Sequence, residues 1–194
     1  VRVGELWLTP PARTVVDIAA THPFESALMA ADSAVRLQLV TVEELAAEVE
    51  ALAGMPGVRR VRAVIERVDG ASGAASESLS RARMYQLGAR IPVLQKRFFI
   101  SGDTFYVDFY WEDEDAIGEC DGAVKYATAS GAPNSQALIA EKRREDSLRG
   151  QVRMFKRWGW DDAYRVDGLE RILRDVGALT GPALALFGLR RWAA

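Results

Sequence analysis

Apolar residues in the first third of the chain recur every three or four positions, which is the spacing of an amphipathic helix. They predict four helices after a short strand or extended arm at residues 1–9. Thr9, before two prolines, is predicted to cap the first helix, and Thr41 with Glu44 has the pattern of a capping box for the third. Residues 1–70 are therefore predicted to form a small helical bundle. The helices cover about residues 10–21, 23–37, 41–54 and 58–68.

A run of small and flexible residues, DGASGAAS at residues 69–76, interrupts this pattern. Such a composition is typical of a linker or of a loop between domains. Ser76 is placed to cap a further helix over about residues 77–87, which Gly88 would end. The sequence therefore predicts a second domain that starts at about residue 73.

Aromatic and β-branched residues dominate three short runs between residues 93 and 126. The runs are separated by SGD at residues 101–103 and by WEDED at residues 111–115. Gly and Asp tolerate the backbone angles of tight reversals. We therefore expect three consecutive antiparallel strands.

The pattern after the third strand predicts a crossover. Residues 135–158 read as one long helix, DAYRV at residues 162–166 as a fourth strand, and Asp167 as the cap of a helix that reaches Leu173. A helix between two strands allows the fourth strand to lie parallel to a neighbour. The predicted fold is α+β, or α/β-like, with a core of helix, three antiparallel strands, crossover helix and fourth strand over residues 73–178.

The last residues, 179–194, form an apolar tail that includes Leu184, Leu186 and Trp192. An exposed apolar patch of this kind marks an interaction surface or an aggregation risk. We therefore expect the tail to pack on its own protein or on a protein partner.

Composition limits the possible environments and partners. With 194 residues, 49% of them hydrophobic, the chain can bury a core of its own. No apolar run reaches the roughly 20 residues that cross a bilayer, so no membrane partner is expected. The single cysteine excludes an intramolecular disulfide and fits a reducing cytoplasm. The net charge of −2 means that any contact with nucleic acid must come from a local basic patch.

Carboxylates occur inside the predicted strands, at positions where a sheet with only a structural role would not require them. Asp108 lies inside the second strand among aromatic residues, and Glu119 and Asp121 flank Cys120 in the third. Alternate residues of a strand share a face, so Glu119 and Asp121 would lie roughly 7 Å apart on one face. If Asp108 pairs beside Glu119, the three acids can reach one hard cation. The alternative is a set of solvated acids that protect a sheet edge, although a buried Asp108 would need a counter-charge.

A basic segment follows in the predicted long helix. Lys and Arg outnumber the acids there, so the helix could follow a phosphate backbone. The alternative is an ordinary solvated helix face. The candidate nucleic-acid contacts are Lys142, Arg143, Arg144, Arg149 and Arg153.

Three motifs carry a resemblance to a known superfamily. Val107-Asp108-Phe109, Glu119-Cys120-Asp121-Gly122 and Arg143-Arg144-Glu145-Asp146 resemble the PD-(D/E)XK nucleases, which have a restriction-endonuclease-like fold. Within that superfamily the similarity is to small bacterial domains related to very-short-patch-repair endonucleases, and it covers about residues 73–178. Residues 9–36 resemble a region of actinobacterial AbiEi-type antitoxin proteins, which links a winged-helix DNA-binding module to a nuclease-like domain.

The resemblance implies a metal-dependent endonuclease that acts on DNA. Asp108 and Glu119 would bind Mg²⁺ or Mn²⁺, and Asp121 would belong to the same cluster. Glu77 would join it from the preceding helix, unless it merely favours the helix dipole. Asp121 stands where the common signature has lysine, so Lys125 would return a positive charge, unless it is a surface lysine. This departure leaves open a non-catalytic DNA-binding regulator or an antitoxin-like component of a toxin-antitoxin system.

Overall fold

The amphipathic helices of the N-terminal third and the strands that follow belong to different parts of the structure. In a computed structural model, which describes residues 2–54, 56–121, 135–182 and 186–189, the chain forms two compact units. The first is Val1–Ala82 and the second is Arg83–Ala194. Helix α5, Ala75–Leu87, therefore contributes residues to both units.

The first unit is the predicted helical bundle, preceded by a two-stranded hairpin. Its helices bury the apolar stripes expected from their spacing, with Val16, Leu28 and Leu45 fully covered. The capping box is confirmed: Glu44 N donates to Thr41 Oγ1 at 3.1 Å, and Thr41 N donates to Glu44 Oε2 at 2.8 Å. The elements are β1 Arg2–Val3, β2 Leu6–Trp7, α1 Pro11–Thr21, α2 Phe24–Arg36, α3 Val42–Ala51 and α4 Val58–Ile65.

Two helix starts differ from the prediction. Pro10 is the N-cap of α1 and provides no side-chain cap, while Thr9 Oγ1 lies 2.6 Å from Thr14 Oγ1 instead. Helix α5 begins at Ala75, so Ser76 lies inside the helix and does not cap it. The backbone N–H of Gly73 donates to Glu77 Oε2 at 2.7 Å. A carboxylate in the first turn therefore satisfies a donor just before the helix.

A buried ion pair joins α2 to α5 inside the first unit. Arg81 Nη1 donates to Asp32 Oδ2 at 2.5 Å, and both side chains are almost fully covered. Asp32 Oδ1 also accepts the N–H of Asp69, and Arg81 Nη2 donates to the carbonyl of Arg67. Burial raises the pKa of the Asp32 carboxyl, and Arg81 opposes that shift. The linker after α4 is thus held to two helices by one pair of charges.

Asp32→Ala should destabilise the protein by about 3–5 kcal/mol, because it leaves the Arg81 guanidinium buried without its counter-charge. The free energy of unfolding is measured by denaturant titration. Asp17→Ala is the control, since Asp17 pairs with Arg13 on the exposed surface and should cost about 1 kcal/mol or less. Equal losses in the two variants would contradict the structural importance of the buried pair.

The second unit contains a four-stranded mixed sheet in the order β3-β4-β5-β6. The junctions β3–β4 and β4–β5 are antiparallel, and β5 pairs with β6 in parallel. Helix α6, Ser135–Arg149, lies between β5 and β6 in the sequence. The predicted core of helix, three antiparallel strands, crossover helix and fourth strand is confirmed. The strands are β3 Val93–Ile100, β4 Asp103–Trp111, β5 Ala116–Asp121 and β6 Met154–Gly159.

The predicted positions of the crossover helix and the fourth strand were partly wrong. The helix ends at Arg149 instead of continuing to residue 158, and Met154–Gly159 forms strand β6. The segment DAYRV, predicted as the strand, lies mainly in helix α7, Trp160–Arg165. The last helix, α8, spans Asp167–Val176, and its N-cap is Val166 rather than Asp167. In residues 154–159, pairing with β5 and the packing of aromatic side chains outweigh the helical preference of the sequence.

Aromatic rings cover one face of the sheet. Phe109 stacks on Trp158 with centroids 5.2 Å apart and on Trp111 at 6.3 Å. A Cβ at Gly118 would lie 2.6 Å from the Trp158 ring and 2.9 Å from the Trp111 ring, so this position has no room for a side chain. Neighbouring residues of a strand point to opposite faces. Gly118 thus meets the rings, and Glu119 projects from the other face.

The face that carries Glu119 is packed by α6. Leu148 of this helix joins Ile117 and Phe155 of the sheet in a buried cluster. Of the apolar tail, residues 183–185 and 190–194 lie outside the described residues, so its packing and its protein partner stay predictions. No helix in the described part of the chain has the length and hydropathy of a membrane span.

Candidate functional site

Asp108 stands where the β4–β5 ladder ends. The register runs from Trp111 opposite Ala116 to Phe109 opposite Gly118. Beyond that pair, Asp108 Oδ2 accepts the backbone N–H of Cys120 at 2.9 Å. The side chain therefore takes over the role of a backbone acceptor, and this bond fixes the half-buried carboxylate beside β5.

Glu119 is held by an arginine from the crossover helix. The whole residue is 4% exposed. Arg144 Nη2 donates to Glu119 Oε1 at 2.7 Å, and Nη1 donates to Oε2 at 3.1 Å. Arg144 Nη2 also donates to the carbonyl of Tyr106 at 2.8 Å. Both Glu119 oxygens therefore accept from one guanidinium in the bidentate geometry of a strong ion pair.

Asp108, Glu119 and Arg144 form one electrostatic cluster. Burial raises the pKa of the Glu119 carboxyl, Arg144 opposes the shift, and the neighbouring Asp108 carboxylate raises it further. Burial by itself would lower the pKa of Arg144, but the hydrogen bonds and charge of Glu119, together with the charges of Glu141 and Asp108, raise that pKa. The bidentate contact needs an ionised carboxylate, so we describe the pair as charged. The charge of Asp108 acts on both Glu119 and Arg144, and the Arg144 guanidinium reaches Glu119 from α6.

Asp121 belongs to a second, adjacent ion-pair set. Arg157 Nε donates to Asp121 Oδ2 at 2.9 Å, and Nη2 donates to Oδ1 at 2.6 Å. Arg157 Nη1 also contacts Glu145 at 2.8 Å and Glu141 at 3.3 Å. These bonds, with Asp121 first, raise the pKa of Arg157. Glu141 lies 3.5 Å from Arg144 as well, so it connects the two sets.

The chemistry of the Asp108 and Glu119 carboxylates fits a hard divalent cation. Mg²⁺ is commonly held by one or two carboxylates, with water and substrate phosphates completing its shell. Among the described residues, no group of three or more His, Cys, Asp or Glu side chains is arranged to hold an ion. A metal ion would therefore rely on this pair, and Arg144 would have to release the Glu119 oxygens.

Glu77 lies in the described part of the chain, at the start of α5. The Glu77 carboxylate accepts the N–H of Gly73, within the first unit. This contact agrees with the alternative that Glu77 serves the start of its helix, and its part in a metal shell stays a prediction. Lys125 lies outside the described residues.

The five predicted nucleic-acid contacts divide into two groups. Arg144 is committed to Glu119, Arg149 pairs with Glu145 and lies over the Phe155 ring, and Arg153 Nε donates to the carbonyl of Glu114. Lys142 and Arg143 are exposed on α6, and Lys142 approaches Asp146 only at 3.8 Å. Lys142 and Arg143 therefore present the charge of this helix to solvent.

Sequence reasoning missed Arg157 as a site residue. It falls inside the long helix predicted for residues 135–158, whereas in β6 it lies level with Glu119 across the parallel pairing. Glu141 and Glu145, four residues apart on α6, were a usable signal because such residues share one helix face. Recognising their partner required knowing that Met154–Gly159 is a strand.

Gln95 is a second residue that the sequence did not single out. It lies on β3 between the register pairs that flank Asp108, Leu94 with Phe109 and Lys96 with Val107. Its φ is 49°, which is uncommon for a residue other than glycine. The β3–β4 register omits the pair of Gln95 with Asp108, so the unusual backbone interrupts this ladder opposite Asp108.

Comparison with known proteins finds no match to this chain among family models, curated proteins or solved structures.

The ion pairs of Glu145 should make stability depend on acid pH. Hydrogen bonds from Arg157 and Arg149 hold the pKa of Glu145 below its ordinary value of 4.5. A carboxylate with a depressed pKa stabilises the fold above its ordinary value, and that contribution is lost as the pH falls through the folded-state pKa. Glu145→Gln should therefore lower the thermal midpoint at neutral pH and reduce its further fall below pH 4.5.

Circular dichroism melts across this pH range measure the effect. Asp146→Asn is the matched control, because Asp146 is exposed on the same helix, with Lys142 3.8 Å away. The control should keep the parent's profile. Identical profiles for the parent and Glu145→Gln would show that the network does not contribute.

Proposed function

We propose that this chain is a metal-dependent nuclease-like protein that hydrolyses phosphodiester bonds of DNA, with Asp108 and Glu119 as the ligands of Mg²⁺ or Mn²⁺. The observation that carries the proposal is the meeting of these two carboxylates from adjacent strands around a single positive group. The order of core elements supports it as well, because it is the order that the sequence resemblance implied.

The chain's own residues would hold and orient the reacting groups. The N–H of Cys120 fixes Asp108, and the close packing at Gly118 sets the position of β5 and hence of Glu119. A bound ion would lower the pKa of a coordinated water. Arg144 and Arg157 can attract a phosphate, because a guanidinium pairs with phosphate oxygens as it does with a carboxylate.

Arg157 offers an account of the departure from the common signature. Asp121 stands where lysine is frequent, but the Arg157 guanidinium is bound to both Asp121 oxygens. In the proposal, this guanidinium takes the role that lysine has in the common signature. In the proposal, Asp121 and Lys125 support the same site, and the reaction takes place on DNA in the cytoplasm.

A non-catalytic DNA-binding regulator, or an antitoxin-like component of a toxin-antitoxin system, is the second candidate. It is favoured by the complete pairing of Glu119 and Asp121 with arginines, which gives both acids a structural role without an ion. The exposed Lys142 and Arg143 would then provide contacts to the DNA backbone. A protein partner could bind through the C-terminal tail.

Plasmid nicking in the presence of Mg²⁺ tests the first candidate. The parent should nick, and Asp108→Asn and Glu119→Gln should each reduce the rate about a hundredfold or more, since each removes charge that stabilises the reacting centre. Asp113→Asn is the control, because Asp113 is an exposed acid in the β4–β5 turn. A chelator should stop the parent. Undiminished nicking by both site variants would remove the catalytic assignment.

DNA binding without divalent metal tests the second candidate. Arg143→Glu should weaken binding and reduce its salt dependence, because an exposed cation near a phosphate releases a counterion on binding. Arg149→Gln should have a smaller effect, since Arg149 is already paired with Glu145. Fluorescence anisotropy with a labelled duplex over a range of salt concentrations measures both. If neither the parent nor the variants bind the duplex, the regulator hypothesis is wrong.

A further inference from the structure

We propose that Arg144 is a gate: its ion pair with Glu119 closes the carboxylate pair to a divalent cation, and a backbone phosphate of nucleic acid opens it by taking the guanidinium. The inference rests on the proposed metal site at Asp108 and Glu119. It concerns regulation of that site, and it makes cation binding depend on the presence of the polyanion.

The exposure of Arg144 and Glu119 determines which of the two side chains an incoming solute reaches first. The Arg144 side chain is 22% exposed, whereas that of Glu119 is 6% exposed. An incoming phosphate therefore reaches the guanidinium more readily than a cation reaches the carboxylate. Phosphate oxygens accept from a guanidinium in the same bidentate geometry as the Glu119 oxygens do. The exchange of one anion for the other therefore replaces the two hydrogen bonds that Arg144 makes to Glu119.

The burial of Glu119 determines what happens at the site when Arg144 leaves. Glu119 lies beside Asp108, and a buried carboxylate without a counter-charge is strongly unfavourable. When Arg144 leaves, a divalent cation can supply the missing charge. Arg144 and the cation therefore compete for the same two oxygens, while phosphate and the cation assist each other. By linkage, each must raise the affinity of the other by the same factor.

Arg144 is better suited to this exchange than Arg157. Arg157 contacts three carboxylates, those of Asp121, Glu145 and Glu141. Among the carboxylates, Arg144 is bound closely only to Glu119, since its contact with Glu141 is 3.5 Å long; its other close contact is a single bond to the Tyr106 carbonyl. Moving Arg157 would break a larger network, so we expect it to stay in place and to keep α6 on the sheet.

The surrounding charge favours a divalent ion. Five carboxylates face three guanidinium groups in the two connected ion-pair sets, so negative charge exceeds positive charge by two. Removing Arg144 from Glu119 increases this excess. The carboxylates are those of Asp108, Glu119, Asp121, Glu141 and Glu145, and the guanidinium groups are those of Arg144, Arg149 and Arg157.

Calorimetric titration with Mn²⁺ tests the competition without relying on activity. Arg144→Gln should bind Mn²⁺ at least about tenfold more tightly than the parent, a factor typical of coupling between sites. Arg171→Gln is the control, since it removes the same charge from the exposed side of α8 and should match the parent. Asp108→Asn combined with Arg144→Gln should lose the gain, which assigns the ion to this site.

A second arm tests the phosphate. A short DNA duplex with phosphorothioate linkages should raise the Mn²⁺ affinity of the parent and leave that of Arg144→Gln unchanged. A duplex with uncharged methylphosphonate linkages should have no effect on either. Arg144→Lys keeps the charge but not the bidentate contact, so it should give an intermediate Mn²⁺ affinity. It also allows the test to proceed if Arg144→Gln does not fold.

The outcomes separate the gate from the proposed function. Equal Mn²⁺ affinities of the parent and Arg144→Gln would overturn the gate and leave the metal site standing. No Mn²⁺ binding by any variant, with or without the duplex, would overturn the metal site and the gate together. A gain in Arg144→Gln with no response of the parent to the phosphorothioate duplex would overturn the role of phosphate.

Discussion

A carboxylate buried in a sheet has to be matched by a positive charge, and the second unit is arranged around that requirement at Glu119. Strand β5 has neighbours on both sides and α6 against one face, so little water reaches Glu119. Arg144 supplies the charge from α6, and its position depends on the crossover that brings this helix back over the sheet. The ion pair therefore links the path of the chain to the chemistry of the site.

Pairing with positive charges also explains why the cluster of carboxylates does not destabilise the fold. Like charges in close proximity raise one another's pKa, as Asp108 does for Glu119. Arginines from α6 and β6 enter between the carboxylates and convert the repulsion into two connected bidentate sets. A site of this kind is stable without an ion, and it still has the oxygen donors that a hard cation prefers. In the proposed nuclease, the structural and catalytic uses of the acids would be compatible in one fold, and they would differ in where Arg144 binds.

The first unit shows the same principle in a setting with no proposed chemistry. Asp32 and Arg81 are paired and buried among helices, and they fix the segment that joins α4 to α5. Sequence spacing could not pair them, because they are 49 residues apart.

Local patterns by themselves determined much of this protein. The apolar spacing predicted α1 to α4, the Gly and Asp turns predicted β3 to β5, and Thr41 with Glu44 predicted a capping box, because each signal acts over a few residues. The sequence also predicted that Asp108 and Glu119 would meet. Tertiary structure alone decided that residues 154–159 form a strand, since pairing with β5 and stacking on Phe109 outweigh helical propensity. The tertiary structure also decided which arginines pair with the carboxylates. Arg144 and Arg157 reach them only after α6 and β6 pack against β5.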